Sequence, residues 1–142
     1  MGRLAATAFL PRASALHRPC CLIVEDQALI ALSIEEGLEE IGYGAAGPFR
    51  SGADALDWLR THTPDIAILD YSLADGACTR LAQELLQRRI PFLVYSGYPR
   101  HTSLPSEFER APWIEKPCPA EDILAAIRLM TWPNHAPWEP FQ

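Results

Sequence analysis

Apolar residues fall along this chain in short unbroken runs, each followed by a longer stretch with apolar positions three or four apart. Cys20-Cys21-Leu22-Ile23-Val24, Ile66-Ala67-Ile68-Leu69 and Pro91-Phe92-Leu93-Val94-Tyr95 are runs without polar alternation. Such runs predict strands covered on both faces, as in a parallel sheet flanked by helices. Helical spacing is carried by Leu29, Ile30, Ile34, Leu38 and Ile41 over residues 27–41, and by Ala53, Leu56 and Leu59 over 52–60. It recurs as Leu81, Leu85 and Leu86 over 77–89, and as Ile123, Leu124, Ile127 and Met130 over 120–130. Residues 43–49, rich in Gly and Ala, and Pro112-Trp113-Ile114-Glu115 read as two weaker strands. Gly42 is placed to cap the first helix at its C-terminus. Ser51 is placed to cap the second at its N-terminus, with Asp54 in the capping-box position. Residues 98–111 read as irregular, with at most a short helix around Ser106–Arg110.

Strands alternating with helices in this way predict an α/β domain with a doubly wound parallel sheet. Right-handed crossovers then place every strand's carboxyl end on one edge. That edge carries Glu25-Asp26, Asp70, Ser96 and Lys116. In open α/β sheets, ligands bind outside the carboxyl ends of the strands. Asp70, at the end of the Ile66–Leu69 run, is therefore the residue the rest of the chain has to explain.

Composition narrows the class. With 142 residues, 49% apolar and 21% charged, the chain has the profile of one soluble globular domain. A net charge of −6 disfavours general nucleic-acid binding. Cys20, Cys21, Cys78 and Cys118 form no C-x-x-C pair, and reduced thiols in a cytoplasmic protein are expected. No apolar run approaches a membrane span in length. Residues 1–19 carry only arginines as charges, and Pro11-Arg12 interrupts their apolar stretch, so a flexible or docked extension is preferred to a signal peptide. Residues 20–131 form the domain, and a tail rich in Pro and Trp covers 132–142. Of the twelve basic side chains eleven are arginine, and Lys116 is the single lysine. An ammonium and a guanidinium differ in shape and hydration, so this choice draws attention to the position.

Each edge residue has an ordinary reading taken alone. Asp26 can cap a helix, Asp70 can begin a turn, Ser96-Gly97 can be a turn, and Lys116 can be a solvated charge. Together they describe chemistry. Clustered carboxylates repel one another unless a cation is present. Hard oxygen ligands favour Mg²⁺, which shares its shell with phosphate oxygens. A lysine and a hydroxyl can donate to those oxygens. The set suits phosphoryl transfer, where positioning and charge neutralisation do most of the catalysis.

Leu22-Ile23-Val24-Glu25-Asp26, Ile66-Ala67-Ile68-Leu69-Asp70, Val94-Tyr95-Ser96-Gly97 and Lys116-Pro117 stand in order, with 44 residues from Asp26 to Asp70, 26 to Ser96 and 20 to Lys116. In these motifs and spacings, residues 20–131 resemble the receiver domain of two-component response regulators. The resemblance implies the flavodoxin-like receiver fold, with strand order 2-1-3-4-5. It implies that Asp70 is the phosphoacceptor, taking a phosphoryl group from a sensor histidine kinase or a histidine phosphotransfer protein. It implies that Glu25, Asp26, Asp70 and the backbone carbonyl of Ser72 hold Mg²⁺. Lys116 matches the lysine that pairs with the phosphate, and Ser96 the hydroxyl that bonds a phosphoryl oxygen and moves on activation. Trp113, three residues before Lys116, stands where many receivers carry a Tyr or Phe switch, and Tyr95 is a second switch candidate. Tyr95-Ser96-Gly97-Tyr98 is similar to the Phe-Ala-Thr-Gly-x-Tyr motif of an alphaproteobacterial single-domain group with a degenerate fourth helix, although the Phe and Ala are not kept.

The expected function is that of a single-domain response regulator acting through protein contacts or by draining phosphate, with a homodimer possible. Such a protein catalyses at most its own phosphorylation and dephosphorylation. The alternative is a receiver-like module that binds without phosphorylation, and the retained Asp70, Ser96 and Lys116 argue against it. A doubly wound phosphatase commonly places a second aspartate two residues after its nucleophile. Position 72 is serine here, which disfavours that class.

Overall fold

The protein, seen as a computed structural model, is described over residues 18–73, 78–100 and 104–131. The expected N-terminal extension up to residue 17, the tail 132–142 and the Asp75-Gly76 loop lie outside the described residues. The chain runs β1 (Cys20–Val24), α1 (Ala28–Glu40), β2 (Gly44–Phe49), α2 (Gly52–Leu59), β3 (Ile66–Leu69), α3 (Cys78–Gln87), β4 (Phe92–Ser96), β5 (Trp113–Glu115) and α4 (Ala120–Thr131). The strands form one sheet in the order β2-β1-β3-β4-β5, and every pairing is parallel.

Alternating strand residues serve two separate cores, as the two-residue period of a strand requires. Leu22, Val24, Ala67, Leu69, Phe92 and Val94 pack with Ala55 and Leu59 of α2 and Leu81 and Leu85 of α3. Cys21, Ile23, Ile66, Ile68, Leu93 and Tyr95 pack with Ile34 and Leu38 of α1 and Ile123 and Ile127 of α4. β1, β3 and β4 are thus buried on both faces, which is why their sequences lack alternation. All four cysteines are free thiols.

Both expected caps form. Gly42 has φ +91°, and the Tyr43 N–H donates to the Leu38 carbonyl at 2.9 Å. The Ser51 hydroxyl accepts from the Asp54 N–H at 3.1 Å. Two expected inward residues face out instead. Leu29 is 81% exposed, because it lies roughly 140° around α1 from Ile34 at the 100° per residue of a helix. Ala53 is exposed, and Ala55, two residues on and on the opposite side of α2, fills the core in its place.

Gly47 has φ +100°, and a Cβ there would lie 2.7 Å from the Ile23 carbonyl oxygen. Both the conformation and the close approach exclude a side chain. Gly47→Ala is expected to cost about 1–3 kcal/mol, measured as a lowered urea midpoint.

Between β4 and β5 the described residues form one 3-10 turn, Ser106–Phe108. Fully buried Phe108 anchors it, meeting Phe92 edge-on at 6.4 Å and Tyr71 at 5.2 Å. The Arg100 guanidinium donates to the carbonyls of Phe108, Glu109 and Ala111. One buried ring and one guanidinium thus replace the backbone ladder a helix would supply. Phe108→Ala is expected to cost about 3–5 kcal/mol, again read from the urea midpoint.

Candidate functional site

The sheet topology brings the ends of β1, β3, β4 and β5 together. The Asp70 N–H extends the β1–β3 ladder by donating to the Val24 carbonyl at 3.0 Å. Its side chain is thereby delivered, buried, to the carboxyl edge. Oδ1 accepts from the Ser72 N–H at 3.0 Å and the Ser72 hydroxyl at 3.2 Å. Oδ2 lies 3.1 Å from the Lys116 ammonium. That ammonium also lies 3.2 Å from Glu25 Oε1 and 5.1 Å from the centre of the Tyr95 ring. The Lys116 N–H donates to the Ser96 carbonyl at 2.7 Å, tying the end of β5 to β4.

Glu25 is only 2% exposed. Its Oε2 accepts from the Gln27 N–H at 3.0 Å. Its Oε1 is buried and makes no hydrogen bond, although the Lys116 ammonium is close. Burial pushes the Glu25 carboxyl above the ordinary range, and the neighbouring Asp70 adds to this, while the Gln27 N–H and Lys116 pull it back. Burial acts to lower the Lys116 ammonium, but the Asp70 and Glu25 carboxylates outweigh it and hold it above the ordinary lysine value. Oxygens of Glu25, Asp26 and Asp70 lie within 4.8 Å of one another.

Ser96 is fully buried at the end of β4, and its hydroxyl accepts from the Tyr98 N–H at 3.0 Å. The Tyr98 carbonyl in turn accepts from the Trp113 indole N–H at 2.8 Å. Trp113 is further held by Tyr71 at 5.4 Å and by the Arg100 guanidinium at 5.6 Å from its ring.

Residues 21–128 match the model of the response regulator receiver domain. The chain belongs to that family. It is 30% identical over 115 residues to the transcriptional regulatory protein PdtaR of Mycobacterium tuberculosis, covering 76% of this chain and 54% of the relative. The chain therefore spans about half the length of such curated relatives. Among solved structures it is similar to the BeF3-activated conformation of SdrG from Pseudomonas melonis Fr1, at 34% identity and TM-score 0.62, covering 76% of this chain and 92% of that one. The PhyR receiver domain of Erythrobacter litoralis shares the fold at TM-score 0.74 and 21% identity, over 89% of this chain and 99% of that one.

In this receiver, Glu25, Asp26, Asp70 and Lys116 sit in one cluster, with Asp70, Glu25 and Lys116 in direct contact, and Ser96 is tied to it through its carbonyl, which accepts from the Lys116 N–H. Three carboxylates against one ammonium leave the cluster two negative charges in excess. Together with the buried Glu25 Oε1, which accepts no hydrogen bond, that donor set fits a hard divalent cation. Receiver domains bind Mg²⁺ at such an acidic pocket. The two switch candidates lie in different cores: Tyr95 packs with α1 and α4, and Trp113 packs beside Tyr71 and Phe108 on the other face. Sequence reasoning missed the Gln27 and Tyr98 N–H groups and the Arg100 guanidinium. The first two are backbone donors with no residue-type signature, and Arg100 stands in a segment without periodicity. No helix among the described residues is long and apolar enough to cross a membrane.

Proposed function

We propose that Asp70 accepts a phosphoryl group from a phosphohistidine, and that Glu25, Asp26, Asp70 and the Ser72 carbonyl hold Mg²⁺ for that transfer. The observation that carries the reading is the Lys116 ammonium bridging Asp70 Oδ2 and Glu25 Oε1 within a buried carboxylate cluster. A carboxylate oxygen of Asp70 forms the new O–P bond as the P–N bond breaks, and the imidazole departs with the bonding pair. When bound, the divalent ion neutralises charge on the phosphoryl oxygens and the surrounding carboxylates. Lys116 already touches the acceptor carboxylate and needs only a small shift to meet a phosphoryl oxygen.

Ser96 is the switch hydroxyl in this reading. Its oxygen now accepts from the Tyr98 N–H, and its own proton is available to a phosphoryl oxygen. Movement of Ser96 pulls on Tyr98, and the indole bond from Trp113 passes that pull to the β4–β5 segment. A pre-existing equilibrium between two conformations is thereby shifted. Tyr98 is 58% exposed, so a protein partner can read the change directly. The 3-10 turn in place of a helix supports grouping the chain with receivers that have a degenerate fourth helix. The donor is a sensor histidine kinase or a histidine phosphotransfer protein in the cytoplasm. The output is protein contact or phosphate drainage.

The test is incubation with a small phosphodonor, with Mg²⁺ or with EDTA, followed by intact-mass measurement. One added phosphoryl group is expected with Mg²⁺ and none with EDTA. Absence of any gain with Mg²⁺ bound, and again with a purified histidine kinase, would overturn the proposal.

A further inference from the structure

Besides its two carboxylates, the Lys116 ammonium touches the face of the Tyr95 ring, with Nζ 5.1 Å from the ring centre. The register of the sheet brings the two together. Tyr95 lies opposite Ile114 in the β4–β5 pairing, and the Lys116 N–H carries that ladder further by donating to the Ser96 carbonyl. Ile114 and Lys116 are two residues apart and so share a face of the sheet. Ile114 packs in the same core as Tyr95, so it is the Tyr95 face.

Tyr95 itself is held from several sides. It is 5% exposed and sits in the core that contains Ile34, Leu93 and Ile123. At the far end of its ring the phenol meets the thiol and the backbone N–H of Cys118. One ring therefore supports both ends of Lys116-Pro117-Cys118.

A lysine ammonium is a point charge on a flexible four-carbon stem, and only its surroundings fix its place. An aromatic face attracts a cation, more strongly where water is excluded. Glu25 and Asp70 hold Nζ at 3.2 and 3.1 Å, but these are the carboxylates whose oxygens fit a divalent cation. An ion bound there draws on the same negative charge and weakens both ion pairs. The ring face is no ligand for a hard ion, so its hold on the ammonium persists.

We propose that Tyr95 is a positioning residue for phosphoryl transfer, its ring face keeping the Lys116 ammonium beside Asp70 when the carboxylates are shared with Mg²⁺. The proposal rests on Asp70 being the phosphoacceptor. It gives Tyr95 a fixed place in the site rather than the part of a moving switch.

Lys116 is the only lysine of the chain, so the full chain made with isotopically labelled lysine reports this one side chain by NMR. Protons held over an aromatic face are shifted upfield. In wild type the Lys116 ε-methylene is expected upfield of its position in urea-unfolded protein, both in EDTA and after Mg²⁺ is added. Three variants follow. Tyr95→Phe keeps the ring, and Tyr95→Leu removes it. Tyr95→Phe carrying a fully fluorinated ring keeps the shape but reverses the charge pattern of the face. This last variant keeps the test open if Tyr95→Leu, a core truncation, fails to fold by circular dichroism. The upfield shift should survive in Tyr95→Phe and be lost in the other two.

Phosphorylation by a small phosphodonor with Mg²⁺ is followed in parallel. Tyr95→Phe should match wild type. Tyr95→Leu and the fluorinated variant should lose about tenfold or more in rate at saturating Mg²⁺, with the Mg²⁺ concentration at half-maximal rate unchanged. A wild-type ε-methylene at its unfolded position, or one that leaves its upfield place when Mg²⁺ is added, overturns the proposal. So does a fluorinated variant phosphorylated as fast as Tyr95→Phe. A wild type that takes no phosphoryl group is a failure of the phosphoacceptor reading, and it removes the role in transfer even where the lysine signal stands upfield.

Discussion

Asp70→Asn is expected to abolish phosphorylation while leaving the fold intact. The amide is close to the carboxylate in shape, so its oxygen can still accept from the Ser72 N–H and hydroxyl now 3.0 and 3.2 Å from Oδ1. Lys116 keeps Glu25 as a partner at 3.2 Å. Removing one of three clustered negative charges relieves repulsion rather than creating it. What the substitution deletes is the proposed nucleophile, since a neutral amide does not attack phosphorus as a carboxylate does. Intact mass after exposure to Mg²⁺ and a phosphodonor should show no added phosphoryl group. Hydroxylamine-labile phosphate persisting on the variant would place the acceptor at another residue.

Lys116→Met should destabilise the protein strongly in the absence of divalent cations. The ammonium is the positive partner the structure gives to Glu25 and Asp70, whose side chains are 2% and 4% exposed. Removing one partner of a buried ion pair leaves uncompensated charge and costs about 3 kcal/mol. Unfolding by urea in EDTA should show that loss. Mg²⁺ should narrow the gap, because the cluster left without its ammonium attracts the ion more strongly and binding stabilises the folded state. The pH dependence follows from the raised Lys116 value. Its stabilising contribution is fully present below the ordinary lysine range and is lost as the pH rises through the higher folded value. The gap between variant and wild type should therefore hold at neutral pH and close only in strong alkali. Equal stability of the two proteins in EDTA would contradict the role assigned to Lys116.

The parts of this molecule that were legible in the sequence are those set by burial. Cys21 to Val24, Ile66 to Leu69 and Phe92 to Tyr95 are apolar without alternation because both faces are covered, and nothing local competes with that signal. The site was legible for the same reason. Once the strands are placed, their ends are placed, and Glu25, Asp26, Asp70, Ser96 and Lys116 follow. The helical faces were less legible. Ala28 to Leu32 is apolar at every position, so periodicity leaves the inward side of α1 open. Packing of Ile34 and Leu38 on the sheet decides it, and Leu29 is left outside. The β4–β5 segment was least legible. Its order comes from Arg100 reaching three carbonyls and from Phe108 under Tyr71, contacts that depend on a loop path and have no sequence period.

The most direct measurement of the central claim is chemical trapping of the phosphorylated residue. Borohydride reduces an acyl phosphate on aspartate to homoserine, which tandem mass spectrometry of the digested protein locates. After treatment with Mg²⁺ and a phosphodonor, homoserine is predicted at position 70 and at no other aspartate. Homoserine at Asp26 or Asp65, or a phosphorylated protein that yields none, would contradict the account.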